Sequence, residues 1–296
     1  TFPHASMPRP VDLSVVMPAY NEEASIDRAI DEVVREVFAV VDDAELVVVD
    51  DGSRDATASR VRAWSDRDAR IRLVQQANGG HGAALMTGLA AARGGRCLLV
   101  DSDAQIGLAD FRATWEAAAR ADAVIGVRSP RHDPLHRLIL TRFVRALLRL
   151  AYRVPYADSN VPYKLVARAW CDRLREVAPS GSVVPSILLS MLLARGNATV
   201  VEQVVVHRPR AGGTGSLKPA RLARFCLRAW REQESAARPP AVAPGVRHVL
   251  RVRVGHLDGQ EVLALGIAPR EHVAAFWRAE VALPLLEDPS VALRAK

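Results

Sequence analysis

Asp101 and Asp103 follow an apolar run at residues 98–100 and stand one residue apart. In an extended chain residues i and i+2 point the same way, so the two carboxylates can converge just past the end of a buried strand. That arrangement suits a divalent cation: Mg²⁺ is held by one or two carboxylates and completes its shell with substrate phosphates. A solvated turn also presents two aspartates at a strand end, so the pair needs company. It has company: Tyr20 and Glu22 follow a second apolar run at 13–17, and Asp50 and Asp51 follow a third at 46–49. Open α/β sheets bind their ligands at the carboxyl ends of the strands.

The elements that must hold these residues alternate. Strands are expected over 13–17, 46–49, 71–74, 97–100 and 123–127. Helices are expected from Asn21 or Glu22, from Asp55, over 79–92 and over 108–120. Strands alternating with helices predict a doubly wound, mostly parallel sheet. Further on, a helix is expected over 137–153, with Arg137, Arg145, Arg149 and Arg153 spaced by fours. Its apolar remainder suits core packing under a solvated arginine face, or a helix resting on anionic lipid. A helix over 183–195 and a strand over 199–206 lead to a glycine loop at 211–216 and a basic helix from 219 to about 231. Residues 239–245, Pro-Pro-Ala-Val-Ala-Pro-Gly, have linker composition. Two strands, 246–254 and 261–267, and a helix over 270–281 follow.

The expected organisation is a disordered or expression-derived segment over 1–11, a catalytic domain over 12–235 and a linker over 236–245. A small C-terminal α+β appendage over 246–296 completes it. The 296 residues suffice for a sizeable core, and 49% hydrophobic with 25% charged residues is a globular balance. The net charge is +7, carried almost wholly by arginine, since lysine occurs only at 164, 218 and 296. Arginine's planar fork suits phosphate. The three cysteines, 97, 171 and 226, have no metal-ligand spacing and read as reduced thiols of a cytoplasmic protein. The longest uncharged run, 177–194, is interrupted by Pro179, Gly181 and Pro185, and only its second half is continuously apolar. A bilayer span needs roughly 20 apolar residues, so the chain is expected to be soluble, or peripheral at the inner membrane face.

Taken in order, Val15-Val16-Met17-Pro18-Ala19-Tyr20-Asn21-Glu22-Glu23, Val48-Val49-Asp50-Asp51-Gly52-Ser53-Arg54-Asp55-Ala56-Thr57 and Asp101-Ser102-Asp103-Ala104-Gln105 resemble the family 2 glycosyltransferases. The likeness is strongest to the dolichol-phosphate mannose synthase and polyprenyl-phosphate glycosyltransferase branch, over residues 12–218. It implies a GT-A fold, a GDP- or UDP-sugar donor and transfer with inversion. It also implies that Pro18, Ala19, Tyr20 and Glu22 line the nucleotide pocket with Asn78 and Ser102, and that Asp50 or Asp51 accepts from a base edge. Asp101, Asp103 and Gln105 match the metal site, with Mg²⁺ or Mn²⁺ bridging the donor diphosphate.

The glycine-rich segment 78–84 also matches, with His81 as the departure. Arg128 and Arg131 match the family's Ser-Arg segment, and Asp158 the acid of a downstream segment in which Pro162-Tyr163 replace Gly-Phe. These three, with Asp103, are the implied catalytic set. Arg210, Ser216 and Lys218 fit a basic glycine loop that, with Arg128 and Arg131, would face acceptor phosphate.

Transfer to a sugar hydroxyl needs a general base, which many family members carry at the start of a helix in the second half. Here that stretch, residues 181–188, contains no carboxylate. A phosphate acceptor is already ionised and needs no base, so the expected acceptor is a polyprenyl phosphate. Asp158 remains as a base for a soluble hydroxyl acceptor, a natural product or glycan. A non-catalytic nucleotide-sugar-binding module is the third reading, opposed by the intact Asp101, Asp103 and Gln105. A nucleotidyltransferase would place a glycine-rich signature after the first strand, where Pro18-Ala19-Tyr20-Asn21 stands. Nothing in the pattern points to nucleic acid.

Overall fold

The computed structural model describes residues 11–129, 154–179, 181–208, 248–257 and 260–269. Nine strands form one sheet in the order β3-β2-β1-β4-β6-β5-β7-β8-β9. β1 (Leu13–Ala19) and β2 (Ala44–Asp50) are buried at every position, as strands covered on both faces must be. β3 (Ile71–Gln75) and β4 (Arg96–Val100) flank them in parallel. β5 (Ala123–Ser129) and β7 (Val200–Val206) form a second parallel pair. β8 (His248–Leu257) pairs in parallel with β7 and in antiparallel fashion with β9 (Gln260–Pro269), so the two C-terminal strands make a hairpin on the sheet edge.

β6 (Tyr163–Ala167) is the strand the periodicity did not announce. It runs antiparallel between β4 and β5, with Val100 opposite Tyr163. Its five residues include a lysine, which disguised a buried strand. Because it runs backwards, the segment before β6 arrives at the edge where the segments after β1, β2, β4 and β5 also end.

α1 (Ile26–Glu32) continues through a π turn at Val33–Val37, burying Ile26, Ile30, Val33 and Val37 as their spacing predicts. It starts later than Asn21 or Glu22 because Asn21 takes a left-handed φ of 53°. The backbone N–H groups of Glu22 and Glu23 turn instead to Thr57 Oγ1 and Asp55 Oδ2. α2 (Thr57–Ser65), α3 (His81–Ala91) and α4 (Phe111–Ala118) fall where expected. α5 (Arg168–Val177) follows β6 and was not anticipated, and α6 (Pro185–Arg195) carries proline in its first turn, where the missing N–H costs nothing.

Pro18 does not end β1. β4 leaves the ladder at the Val16–Leu99 pair, and Pro18 pairs only with Val49 of β2. Cys97 and Cys171 are buried free thiols. The helices expected over 137–153, 219–231 and 270–281 lie outside the described residues.

Candidate active site

The segments after β1 and β2 are stitched together by side-chain hydrogen bonds. Asn21 N donates to Ser53 Oγ at 3.0 Å, and Asn21 Oδ1 accepts from Arg54 N at 2.8 Å. Glu22 N meets Thr57 Oγ1 at 2.8 Å, and Glu23 accepts from Ala56 N at 3.0 Å. Tyr20 stands at this corner, 43% exposed, the most exposed aromatic side chain described.

Asp50 and Asp51 are both buried. Asp50 accepts from Ser53 N at 3.1 Å and Gln75 Nε2 at 3.2 Å. Asp51 accepts from Gln76 Nε2 at 2.7 Å and from the backbone N–H groups of Gly79 and Gly80 at 2.8 Å each. A carboxylate offers about four lone-pair sites, so Asp51 is largely committed to holding the glycine turn that opens α3. Its backbone carbonyl accepts from Asn78 Nδ2 at 3.0 Å. The glycines are required here. Gly52 has φ +71° and a Cβ on it would lie 3.0 Å from Asn78 N. A Cβ on Gly82 would lie 2.1 Å from Ser182 O, so only glycine lets α3 start against the segment leading to α6.

Beyond β4, His81 Nε2 lies 3.0 Å from Asp101 Oδ1, within reach to donate to the carboxylate. Desolvation opposes a proton on His81, but Asp101 above all, with Asp103 and Asp51 behind it, outweighs that and raises its pKa. Negative charge is therefore concentrated at this point. Asp103 Oδ1 accepts from Gln105 N at 3.1 Å across a tight turn in which Ala104 takes φ +53°. A left-handed alanine costs roughly 1–2 kcal/mol. The turn sends Gln105 back against β7, where Gln105 O accepts from Arg208 N at 2.7 Å and Gln105 Nε2 donates to Arg208 O at 3.3 Å. Arg208 in turn grips Glu32 of α1 with both Nη atoms, at 2.8 and 2.9 Å. The buried Glu32 also accepts from Leu108 N, at 3.0 Å. No local pattern announces this brace, since Glu32 and Arg208 are 176 residues apart.

Among the described residues no three His, Cys, Asp or Glu side chains come close enough to hold an ion by themselves. The expected donors, Asp101, Asp103 and Gln105, are oxygen donors by residue type and two of them are carboxylates, while the amide Nε2 of Gln105 is turned to Arg208 O. That fits a Mg²⁺ or Mn²⁺ whose remaining ligands come from a substrate.

Across the cleft Arg128 and Asp158 form a bidentate pair, Nε to Oδ2 at 2.8 Å and Nη2 to Oδ1 at 3.2 Å, with Asp158 buried. Asp158 orients the guanidinium. Both carboxylate oxygens of Asp158 are engaged in this contact. Arg131, Arg210, Ser216 and Lys218 lie outside the described residues.

Between the two sides opens a cavity of about 240 Å³. Leu85, Leu99, Val183, Val184 and Ile187 contribute apolar wall; Asp101, His81, Asn160 and Ser186 contribute its polar groups. Lys164 lies beneath Ser186, fully buried, with Nζ 2.6 Å from Ser186 Oγ. Neither residue stood out in sequence reasoning. The available signal was a lysine inside an apolar stretch of a chain with only three lysines.

A mixed, mostly parallel sheet with helices on it and acids collected beyond β1, β2 and β4 is the GT-A fold of glycosyltransferases. The chain belongs to glycosyl transferase family 2, whose model matches residues 14–172. It is 29% identical over 220 residues to an undecaprenyl-phosphate 4-deoxy-4-formamido-L-arabinose transferase of Pseudomonas aeruginosa, covering 73% of this chain and 63% of that protein. A relative of the same description from Aeromonas hydrophila is 26% identical over 204 residues, 68% of this chain and 61% of that one. The chain thus spans somewhat under two thirds of these relatives. Among solved structures, glucosyl-3-phosphoglycerate synthase from Mycobacterium tuberculosis in complex with Mn²⁺, UDP-glucose and phosphoglyceric acid superposes with a TM-score of 0.57 at 20% identity. That match covers 89% of this chain and 91% of the other.

Proposed function

We propose that this glycosyltransferase moves a sugar from a nucleotide-diphosphate sugar onto the phosphate of a polyprenyl-phosphate acceptor, assisted by Mg²⁺ or Mn²⁺. The observation that carries the reading is the composition of the cavity. Among the described residues its walls are largely apolar, and Asp101 is the one carboxylate that lines it. A hydroxyl acceptor needs a base to take its proton, whereas a phosphate does not. The names of the Pseudomonas and Aeromonas relatives, which carry undecaprenyl phosphate, support the same acceptor class.

In this reading Tyr20, Glu22, Asp50 and the turn at Asn78 frame the nucleotide, with Pro18, Ala19 and Ser102 as their backbone platform. Asp51 acts indirectly, by fixing the glycine turn. Asp101, Asp103 and Gln105 hold the ion, which supplies Lewis-acid neutralisation of the departing diphosphate. Arg128, aimed by Asp158, offers its guanidinium to the acceptor phosphate. Arg131, Arg210, Ser216 and Lys218 are assigned to the same phosphate chemistry from the sequence. Among the described residues no helix is long and apolar enough to cross a membrane, and the proposed site of action is the membrane face that presents the lipid phosphate.

The test is transfer from a panel of UDP- and GDP-sugars to undecaprenyl phosphate with Mg²⁺ or Mn²⁺. Turnover should fall about a thousandfold in Asp103→Ala, several kcal/mol of lost charge stabilisation. Undiminished turnover in that variant removes the metal role.

A further inference from the structure

Lys164 is a buried cation that the roles above do not use. It lies in β6 opposite Leu99, with no exposed surface. Its ammonium has three N–H groups and three partners: Val161 O at 2.9 Å, Ser159 O at 3.1 Å and Ser186 Oγ at 2.6 Å. Two of these bonds end on backbone carbonyls and tie down the segment before β6. The third ends on a hydroxyl that lines the cavity.

That third bond fixes what Ser186 can do. Its oxygen accepts from Lys164, so its own hydrogen must point away from the ammonium. Among the described residues Ser186 Oγ has no acceptor for that hydrogen; Ser190 Oγ bonds to the Ser186 carbonyl instead. A hydroxyl polarised by a cation behind it is a stronger donor, and an anionic oxygen is the partner that rewards it most. The apolar walls of the same cavity, Leu85, Leu99, Val183 and Ile187, suit a hydrocarbon attached to that anion.

We propose that Ser186 donates its hydroxyl hydrogen to the acceptor's phosphate monoester, with Lys164 as the positioning residue that sets the direction of that donation. The proposal rests on the phosphate-acceptor reading above. It places the head of the acceptor against Ser186 and its first prenyl unit against the apolar walls.

The Lys164 amine is poised to report on this arrangement. Burial pushes its pKa down to about 7; Asp158 and Asp101 favour the proton and Arg128 opposes it. With Lys164 charged, Ser186 is a donor towards the cavity. With Lys164 neutral, the serine proton can turn to the amine and leave a lone pair facing the cavity, which suits a hydroxyl acceptor instead.

The experiment measures binding of farnesyl phosphate, farnesol and inorganic phosphate to the full chain with Mn²⁺ and a mixture of UDP and GDP. Wild type and Ser186→Ala are compared from about pH 6 to about pH 8.5, a range spanning the Lys164 titration. Farnesyl phosphate should bind the variant about ten- to a hundredfold more weakly, the worth of one hydrogen bond to a charged group. Farnesol binding should not change, and the variant should unfold at a lower temperature, since Lys164 loses one of its three acceptors, while remaining folded under the binding conditions. The ratio of the two affinities, from which the ligand's own titration cancels, should shrink towards one as pH rises past the Lys164 value.

Equal binding of farnesyl phosphate to both proteins overturns the Ser186 assignment and leaves the acceptor class standing. A ratio that does not move with pH overturns the part given to Lys164, since a purely structural lysine would not modulate it. Inorganic phosphate competing as well as farnesyl phosphate overturns the prenyl placement. A wild type that ignores farnesyl phosphate, and glycosylates a hydroxyl acceptor faster above the Lys164 pKa, overturns the acceptor reading together with the proposal.

Discussion

The side of the cleft built on β1, β2 and β4 is held by bonds between neighbouring strand ends, and Asp50 and Asp51 are largely spent on holding loops. Asp51 fixes Gly79 and Gly80, Asp50 fixes Ser53, and Asn21 is clasped between Ser53 and Arg54. The side built on β5, β6 and α6 is held by more deeply buried contacts of charged groups: Arg128 to Asp158 and Lys164 to the Ser186 hydroxyl. The first side is a rigid cradle whose charge can be met by a cation and a diphosphate. The second gives the cavity apolar wall from Val183, Val184 and Ile187 and the hydroxyl of Ser186, behind which the buried Lys164 lies. One surface made for a polar, multiply charged ligand faces another made for an amphiphile.

That contrast can be broken by substitutions on either side. Asp51→Ala removes the acceptor for two backbone N–H groups and Gln76, so it should cost about 3 kcal/mol of stability in urea denaturation. Nucleotide affinity should fall with it. A variant of wild-type stability would show that the cradle holds itself. Arg128→Lys keeps the charge but loses the bidentate fork on Asp158; it should raise the KM for the acceptor by about tenfold, the worth of one such bond, and leave nucleotide binding unchanged. Equal losses in both would mean that the two sides are not separable.

The smallest effect is expected at the opposite end of the sheet. There the buried Glu45 accepts from Ser14 Oγ and Arg93 N and pairs with Arg72 and Arg93. Burial raises its pKa, but Arg93, Ser14 and Arg72 together bring it below the usual value of 4.5. A depressed carboxylate contributes stability that is present above the unfolded pKa and lost as pH falls through the folded one. Glu45→Gln should therefore cost roughly 1–2 kcal/mol at neutral pH, with the gap to wild type closing in acid. The activity of the folded enzyme should be unaffected. A gap that widens on acidification contradicts this sign.

The sequence was most legible where function follows a strand directly. An apolar run ending in Asp101 and Asp103, or in Asp50 and Asp51, announces both the strand and the edge at which its acids collect. The second half was harder to read for a physical reason. β6 is short, antiparallel and interrupted by Lys164, so neither periodicity nor composition marks it, and its partners β4 and β5 are set by tertiary pairing. The Glu32–Arg208 brace is equally silent, since an ion pair between distant residues leaves no local pattern. The bidentate contact between Asp158 and Arg128 depends on how β5 packs against the segment before β6, which no local pattern records. Asp50 or Asp51 was read as a base contact; the loop-holding bonds of both depend on where the glycine turn falls in space.

The central claim, that the acids beyond β1, β2 and β4 form a metal-dependent nucleotide-diphosphate site, is tested most directly by thermal unfolding with UDP or GDP, with and without Mn²⁺. A ligand that binds only the folded state at about a hundred times its Kd stabilises by roughly 2.7 kcal/mol. One of the two nucleotides should therefore raise the unfolding temperature when Mn²⁺ is present, and Asp103→Ala should abolish the rise. Stabilisation that is the same without metal, or that persists undiminished in Asp103→Ala, would contradict it.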